Sequence, residues 1–167
     1  MMCDSYLLDS EALALLGYED EEGSRSMVVT THGTYLSAKP PIELLNVACL
    51  RNGSTKLARQ QEARIVLQSR QKVPFLLSAD VGVFPTSSSR HQTCTWVFNH
   101  YFEAEAAGKK ETILRFSSGI ELTVPTSAQS IRLQHGRLMT LLSHSAQQQK
   151  DLYFEQSIHH AHRTARR

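Results

Sequence analysis

The stretch from Val73 to Tyr101, VPFLLSADVGVFPTSSSRHQTCTWVFNHY, leaves the chain few folding options. Two apolar runs, Val73 to Leu77 and Val81 to Phe84, are separated only by Ser78-Ala79-Asp80, which predicts a strand, a turn and a second strand. Pro85 then stops the ladder, since it has no N–H to donate and its φ is fixed. The polar run Thr86 to Thr93 has no apolar period and leaves the sheet as a loop. The chain returns over Thr95 to Phe102, where the single tryptophan, Trp96, sits among Val97, Phe98, Tyr101 and Phe102, residues suited to a half-buried pleated surface. Trp96 and Phe84 belong to the core on this reading.

The rest of the chain adds hairpins and two helices. Tyr6 to Leu8 and Ala12 to Leu16 flank Asp9-Ser10 as a hairpin, although Glu11 to Leu16 also suits a helical turn. An acidic loop, Gly17 to Ser24, follows. Met27 to Thr31 turns at His32-Gly33 into Thr34 to Leu36. Pro40-Pro41 opens a helix with Ile42, Leu45, Ala48 and Cys49 at helical spacing, stopped by Asn52-Gly53. Glu103 to Lys110 reads as a polar, Ala-rich connection, and Glu111 to Phe116 turns through Ser117-Ser118-Gly119 into Ile120 to Val124. Thr126 or Ser127 caps a helix to about Ser143, with Ile131, His135, Leu138, Met139 and Leu142 on one face and Arg132 and Arg137 off it. The expected fold is α+β: a mostly antiparallel sheet built of hairpins, two main helices, and a flexible C-terminal tail. Residues 1–145 form the domain, and 146–167 form a polar, basic tail expected to be disordered.

Charge is distributed unevenly. From Met1 to Glu22 there are seven acidic residues and no Lys or Arg. From Arg51 to Lys72 six cations, Arg51, Lys56, Arg59, Arg64, Arg70 and Lys72, stand against Glu62 alone. Such a local excess suits a polyanion, because each phosphate neutralised releases counterions and adds affinity without reading sequence. A solvated helix face explains the charges equally well. Gly53-Ser54-Thr55, with Lys56 and Arg59 behind, could form a turn whose backbone N–H groups and hydroxyls grip a phosphate. It is no Walker loop, as the G-x-x-x-x-G-K-[ST] spacing is absent.

Other chemistries find little support. Cys3, Cys49 and Cys94 are odd in number and lack C-x-x-C spacing, so reduced thiols are expected, with Cys49 a small core residue. His91, Cys94 and His100, and the terminal His159, His160 and His162, are nominal ligand sets without a scaffold, and no metal or cofactor is expected. No paired carboxylates or Ser/His/Asp order stand out, so the chain does not read as an enzyme. No apolar run approaches the roughly eighteen residues of a membrane span, and a cytoplasmic location is expected.

The motifs themselves resemble a known family. Phe84-Pro85-Thr86, Ser88 and Cys94-Thr95-Trp96 followed by Val97 resemble the F-P-T-x-S…C-x-W-I signature of the bacterial competence transcription factors, the ComK family. Cys49, Gly53, Ser54, Thr55 and Arg59 resemble its C-x-x-x-G-S-S/T-x-x-x-R element, although Leu50 precedes Arg51 where the family often has an arginine. Phe116-Ser117-Ser118-Gly119 with Pro125 is similar to its F-S-N-G…P pattern.

The resemblance implies an activator of DNA-uptake genes in Gram-positive bacteria that binds AT-rich duplex DNA chiefly through the minor groove, as dimers or higher assemblies. Arg51, Gly53, Ser54, Thr55, Lys56, Arg59, Arg64, Arg70, Lys72 and Arg90 are then the candidate DNA contacts. It also implies control by a proteolytic adaptor, but Asp151-Leu152-Tyr153-Phe154 does not match M-L-Y-P and no long C-terminal helix is expected, so that control does not carry over. Two alternatives remain: a single-stranded nucleic-acid or RNA module stacking bases on Trp96, Phe98 or Tyr101, and a protein-interaction domain using its opposite charges.

Overall fold

A computed structural model describes residues 8–87 and 94–165. Strands β1 (Ala12–Asp20), β2 (Gly23–Thr30) and β3 (Gly33–Ser37) lead into helices α1 (Pro41–Arg51) and α2 (Lys56–Leu67). Then come β4 (Phe75–Leu76), β5 (Gly82–Pro85), β6 (Thr95–Phe98), β7 (Phe102–Ala106), β8 (Thr112–Phe116), β9 (Glu121–Val124) and α3 (Ala128–Thr164). The α+β class holds, and every strand pairing is antiparallel. Among the described residues the strands form two sheets rather than the single one expected: six strands in the order β3-β2-β1-β6-β5-β4, and a separate β7-β8-β9.

The division falls inside Thr95 to Phe102. Asn99 interrupts that run: its Oδ1 accepts from the Gly82 N–H at 3.0 Å and its Nδ2 donates to the Asp80 carbonyl at 3.0 Å. One side chain thus replaces a ladder rung, and Phe102 starts a new sheet. Glu103 to Lys110 is correspondingly not all connection, because Phe102, Ala104 and Ala106 alternate with Glu103 and Glu105 along β7.

At the amino end β1 runs through Gly17 to Asp20, so the expected acidic loop shrinks to a turn at Glu21-Glu22. Arg25 pairs there with Asp20 at 2.7 Å and also contacts Glu22. Ala12 to Leu16 is strand, as expected, but its hairpin partner is β2. Tyr6 and Leu7, the other expected arm, lie outside the described residues. The hairpins at His32-Gly33 and Ser117 to Gly119 form as expected.

Among the described residues there are three helices where two were expected. α2 fills the basic segment; Thr55 caps it, accepting from the Ala58 N–H at 3.0 Å. α3 starts where expected, with the Ser127 hydroxyl accepting from the Ser130 N–H, but it does not end near Ser143. It continues to Thr164, so the segment expected as a disordered tail is helical, and the expectation of no long C-terminal helix is corrected. The reason is local: beyond Gly136 no glycine or proline interrupts a run rich in Gln, Ala and Leu, good helix formers.

The core lies where α2 and α3 cross the β4-β5 end of the large sheet and α3 reaches β7. Trp96 and Phe75 meet edge to face at 5.6 Å between ring centres, both almost fully buried. α3 packs directly over Gly82: a Cβ there would stand 2.5 Å from Leu138 Cδ1 and 2.9 Å from Leu76 Cδ2. The two sheets meet α3 at His135, whose ring lies 4.8 Å from Phe102 and 6.3 Å from Phe84.

Burial in this aromatic cluster lowers the His135 pKa from its ordinary 6.5, against a smaller opposing contribution from the His100 backbone. The neutral ring is therefore the folded form, and the unfolded chain takes up a proton first as pH falls. Stability should be full above about pH 6.5 and decline as pH drops through the lower folded value. Urea midpoints at pH 7.5 and pH 5.5 check this: His135→Phe should flatten the decline, and an unchanged decline would assign it to other groups.

Candidate nucleic-acid interface

α1 and α2 are joined by Asn52 to Thr55, where the sequence places a phosphate-gripping turn. Gly53, at φ +79°, donates its N–H to the Leu50 carbonyl at 3.1 Å, and Ser54 donates to Cys49 at 3.1 Å, the paired bonds of a Schellman ending. Thr55 spends its hydroxyl oxygen on capping α2, and the Lys56 N–H donates to Asn46 Oδ1 at 3.1 Å. The expected cradle of free donors is therefore corrected: Gly53, Ser54 and Thr55 close one helix and open the next. Only a left-handed residue fits at Gly53, which gives that motif position a structural reason.

Helical periodicity divides the cations. Lys56, Arg59, Ala63 and Val66 turn towards the domain, while Leu57, Gln61, Arg64, Ile65 and Gln68 face solvent. The Lys56 ammonium sits 5.8 Å from the centre of the Phe75 ring. Its pKa is lowered, chiefly by burial, with Cys49 opposing and Arg64 assisting the shift. Arg59 is 20% exposed at its side chain, lies 3.8 Å from Glu62, and has a buried Nε with no partner. The Cys49 thiol is held protonated by burial, which raises its pKa against the pull of Arg59 and Lys56. Fully buried, Cys49 is the small core residue expected.

Arg51 stands apart. It lies at the end of α1, beside a depression lined by Asp9, Ser10, Ser78 and Asp80. Arg64 and Arg70 come together in a shallow depression with Ile65, Gln68 and Ser69, at the carboxyl end of α2. Lys72 follows two residues after Arg70; all three cations are exposed, and none is ion-paired among the described residues. The sequence-predicted set thus separates into an exposed group, Arg64, Arg70 and Lys72, a lone Arg51, and the inward-facing Lys56 and Arg59. Arg90 lies outside the described residues.

The position of the exposed group has a local cause. Gln68 takes a left-handed conformation at φ 50° and ends α2 by donating its N–H to the Arg64 carbonyl. A cation in the last turn also complements the negative end of the helix dipole. Gln134 of α3, outside the sequence-predicted set, is buried and donates to the Lys72 and Pro85 carbonyls at 2.6 and 3.3 Å. Its signal was a glutamine three residues after Ile131, inside the apolar stripe.

Ser88 of the signature lies outside the described residues, and the motif residues that are described serve the architecture. Phe84 and Trp96 are core residues, Pro85 is paired opposite Trp96 at the end of β5, and the Thr86 hydroxyl donates to the Thr95 carbonyl at 2.9 Å. Cys94 is buried with its Sγ 3.6 Å from the Ser87 carbonyl. Among the described residues, no three His, Cys, Asp or Glu side chains come together to hold a metal ion, and no helix is long and apolar enough to cross a membrane.

Comparison with known proteins agrees with the motifs. No curated protein and no solved structure matches the chain. The family model described as ComK protein matches residues 3–150, most of the length. Motif residues that form core and turns, within a match of that extent, place the chain in the ComK family of competence transcription factors.

Proposed function

We propose that this protein activates transcription by binding AT-rich duplex DNA, chiefly across the minor groove, through the exposed cations at the carboxyl end of α2. The observation that carries the reading is the group Arg64, Arg70 and Lys72: three exposed cations within nine residues, with no carboxylate paired to them among the described residues. Elsewhere Arg25 and Arg115 are each held by two carboxylates. Unpaired cations remain available to phosphates and to the negative potential of a narrow A·T groove. Minor grooves offer little base-edge code, so binding there rests on width and charge rather than on many specific contacts. Assembly as a dimer or higher on the duplex, and a cytoplasmic location, complete the proposal.

The single-strand alternative needs aromatic rings on an exposed sheet face. Trp96 and Phe98 are buried, and Tyr101 alone of the three is exposed, in the turn between β6 and β7. That arrangement favours duplex binding. Gel-shift titrations at two salt concentrations, with AT-rich duplex, GC-rich duplex and single strand, test the choice. AT-duplex preference with steep salt dependence is expected. Preference for single strand would overturn the duplex reading, and no binding to any of them would point to the protein-interaction alternative.

A further inference from the structure

Among the described residues the six-stranded sheet ends in β3 and β4, and the smaller sheet in β7 and β9. An open edge presents a row of unpaired N–H and C=O groups to any strand that meets it, and folded chains blunt such edges by shortness, charge or proline. β4 is two residues long, β7 carries the exposed Glu103 and Glu105, and β9 carries Glu121, which is held by Arg115. β3 lacks these devices: its five residues, Gly33 to Ser37, include no charge and no proline.

The register shows which groups of β3 are open. Thr30 and Gly33 flank the two-residue turn Thr31-His32, and a pair so close in sequence can bridge only by exchanging its own hydrogen bonds. The alternation of an antiparallel ladder then makes Val28–Tyr35 and Ser26–Ser37 hydrogen-bonded pairs too, with the Tyr35 and Ser37 backbone groups turned towards β2. Thr34 and Leu36 turn theirs away from β2, to a side where no described strand lies. The side chains alternate with the backbone: Tyr35 is half-buried against the core beside Val28, and Thr34 on the opposite face is exposed.

We propose that β3 is a self-association surface, on which a second copy of this chain lays its own β3 antiparallel, extending the six-stranded sheet across a two-fold axis at Tyr35. In that register Thr34 stands opposite the partner's Leu36 and exchanges N–H and C=O bonds with it, so the outward groups of both copies are satisfied. The two Tyr35 side chains meet at a non-hydrogen-bonded position, where cross-strand side chains stand closest. An axis at Thr34 or Leu36 would pair only one of those residues within β3. The ends of the strand favour a copy of this chain over an unrelated strand. Lys39, two residues beyond β3, is carried towards the partner's Thr31-His32 turn, and that turn holds Glu11: its carboxylate contacts the Thr31 hydroxyl and lies 3.4 Å from His32. This inference rests on the assembly included in the proposed function, names its surface, and uses none of the cations assigned to DNA.

Sedimentation equilibrium of the full chain over a dilution series, free and with AT-rich duplex, is the test. The wild type should reach a dimer, and Thr34→Pro should raise its dissociation constant by about tenfold or more, because proline removes an outward N–H from each copy. The far-UV circular dichroism of that variant should match the wild type, since the Thr34 N–H does not bond β2. If Thr34→Pro fails to fold, Tyr35→Cys in a Cys3→Ser background decides. Facing non-hydrogen-bonded residues hold their Cα atoms about 4.5 Å apart, within the roughly 4.4–6.8 Å of a disulfide. Mild oxidation should therefore give a covalent dimer that Cys3→Ser alone does not form. A wild type that stays monomeric both free and on the duplex overturns the inference. So does a dimer that Thr34→Pro leaves equally tight, or that Tyr35→Cys fails to cross-link. A β3-linked dimer that binds no nucleic acid would overturn the DNA-binding function and leave this inference standing.

Discussion

Replacing Arg64, Arg70 and Lys72 together by glutamine should weaken binding to an AT-rich duplex by about 100-fold near 0.15 M salt, and flatten the salt dependence by about 2.7 in slope. Each cation that meets a phosphate releases about 0.9 of a condensed counterion, so three lost contacts remove about two decades of affinity at that ionic strength. Stability should change little, because all three side chains are exposed and none is ion-paired among the described residues. The same substitutions at Lys56 and Arg59 give a useful contrast. Those side chains point into the domain, against Phe75 and Glu62, and their loss should appear in the thermal midpoint more than in the salt slope. Salt titrations of the two variants side by side check both statements. Equal slopes for the triple variant and the wild type would remove this surface from the DNA contacts.

Trp96→Ala should destabilise the fold by about 3–5 kcal/mol, the range for deleting a large buried aromatic side chain. Trp96 is 2% exposed, lies opposite Leu15 on β1 and Pro85 on β5, and packs edge to face on Phe75. It therefore ties the hairpin half of the large sheet to its β5-β4 half. A domain of this size shifts by roughly 2–4 °C per kcal/mol, so the midpoint should fall by about 6–20 °C. Urea denaturation measures the loss. A cost below about 1 kcal/mol would mean that the two halves are held together elsewhere, and that the tryptophan of the signature motif is not their joint.

Much of this arrangement was legible in the sequence, for reasons that also explain what was missed. The hairpins β2-β3 and β8-β9 announce themselves because period-two runs end at glycine-bearing turns, and Ser127 marks the start of α3 as a cap. α2 gives no such signal. Only Ala63 among its residues is fully buried, so there is no apolar stripe to find, and the helix is held by Thr55 and by neighbours distant in sequence. β7 hides in alanines, whose strand preference is low and whose alternation with Glu103 and Glu105 is easily taken for a linker. The end of α3 was misread because a polar, Gln-rich composition resembles disorder, whereas the absence of any stop signal is what the helix follows.

The candidate site divides in the same way. Its excess of positive charge is a property of composition, visible at once in six cations against Glu62. Its direction is not, because the sign of a side chain says nothing about the side of a helix it occupies. Once α2 is known, the 3.6-residue period turns Lys56 and Arg59 inwards and Arg64 outwards. The phosphate-gripping turn failed for a related reason: hydroxyls and glycine between two helices serve capping as readily as anion binding, and here the Gly53 and Ser54 donors close α1.

The central claim is that the duplex lies against the carboxyl end of α2 and the segment that leads to β4. Amide hydrogen exchange of the full chain, with and without saturating AT-rich duplex, tests it directly. Slowed exchange concentrated between Arg64 and Lys72, with the β7-β8-β9 sheet unaffected, is the expected result. Slowed exchange confined to that second sheet or to the Arg51 end of α1, with 64–72 exchanging as in the free protein, would contradict it.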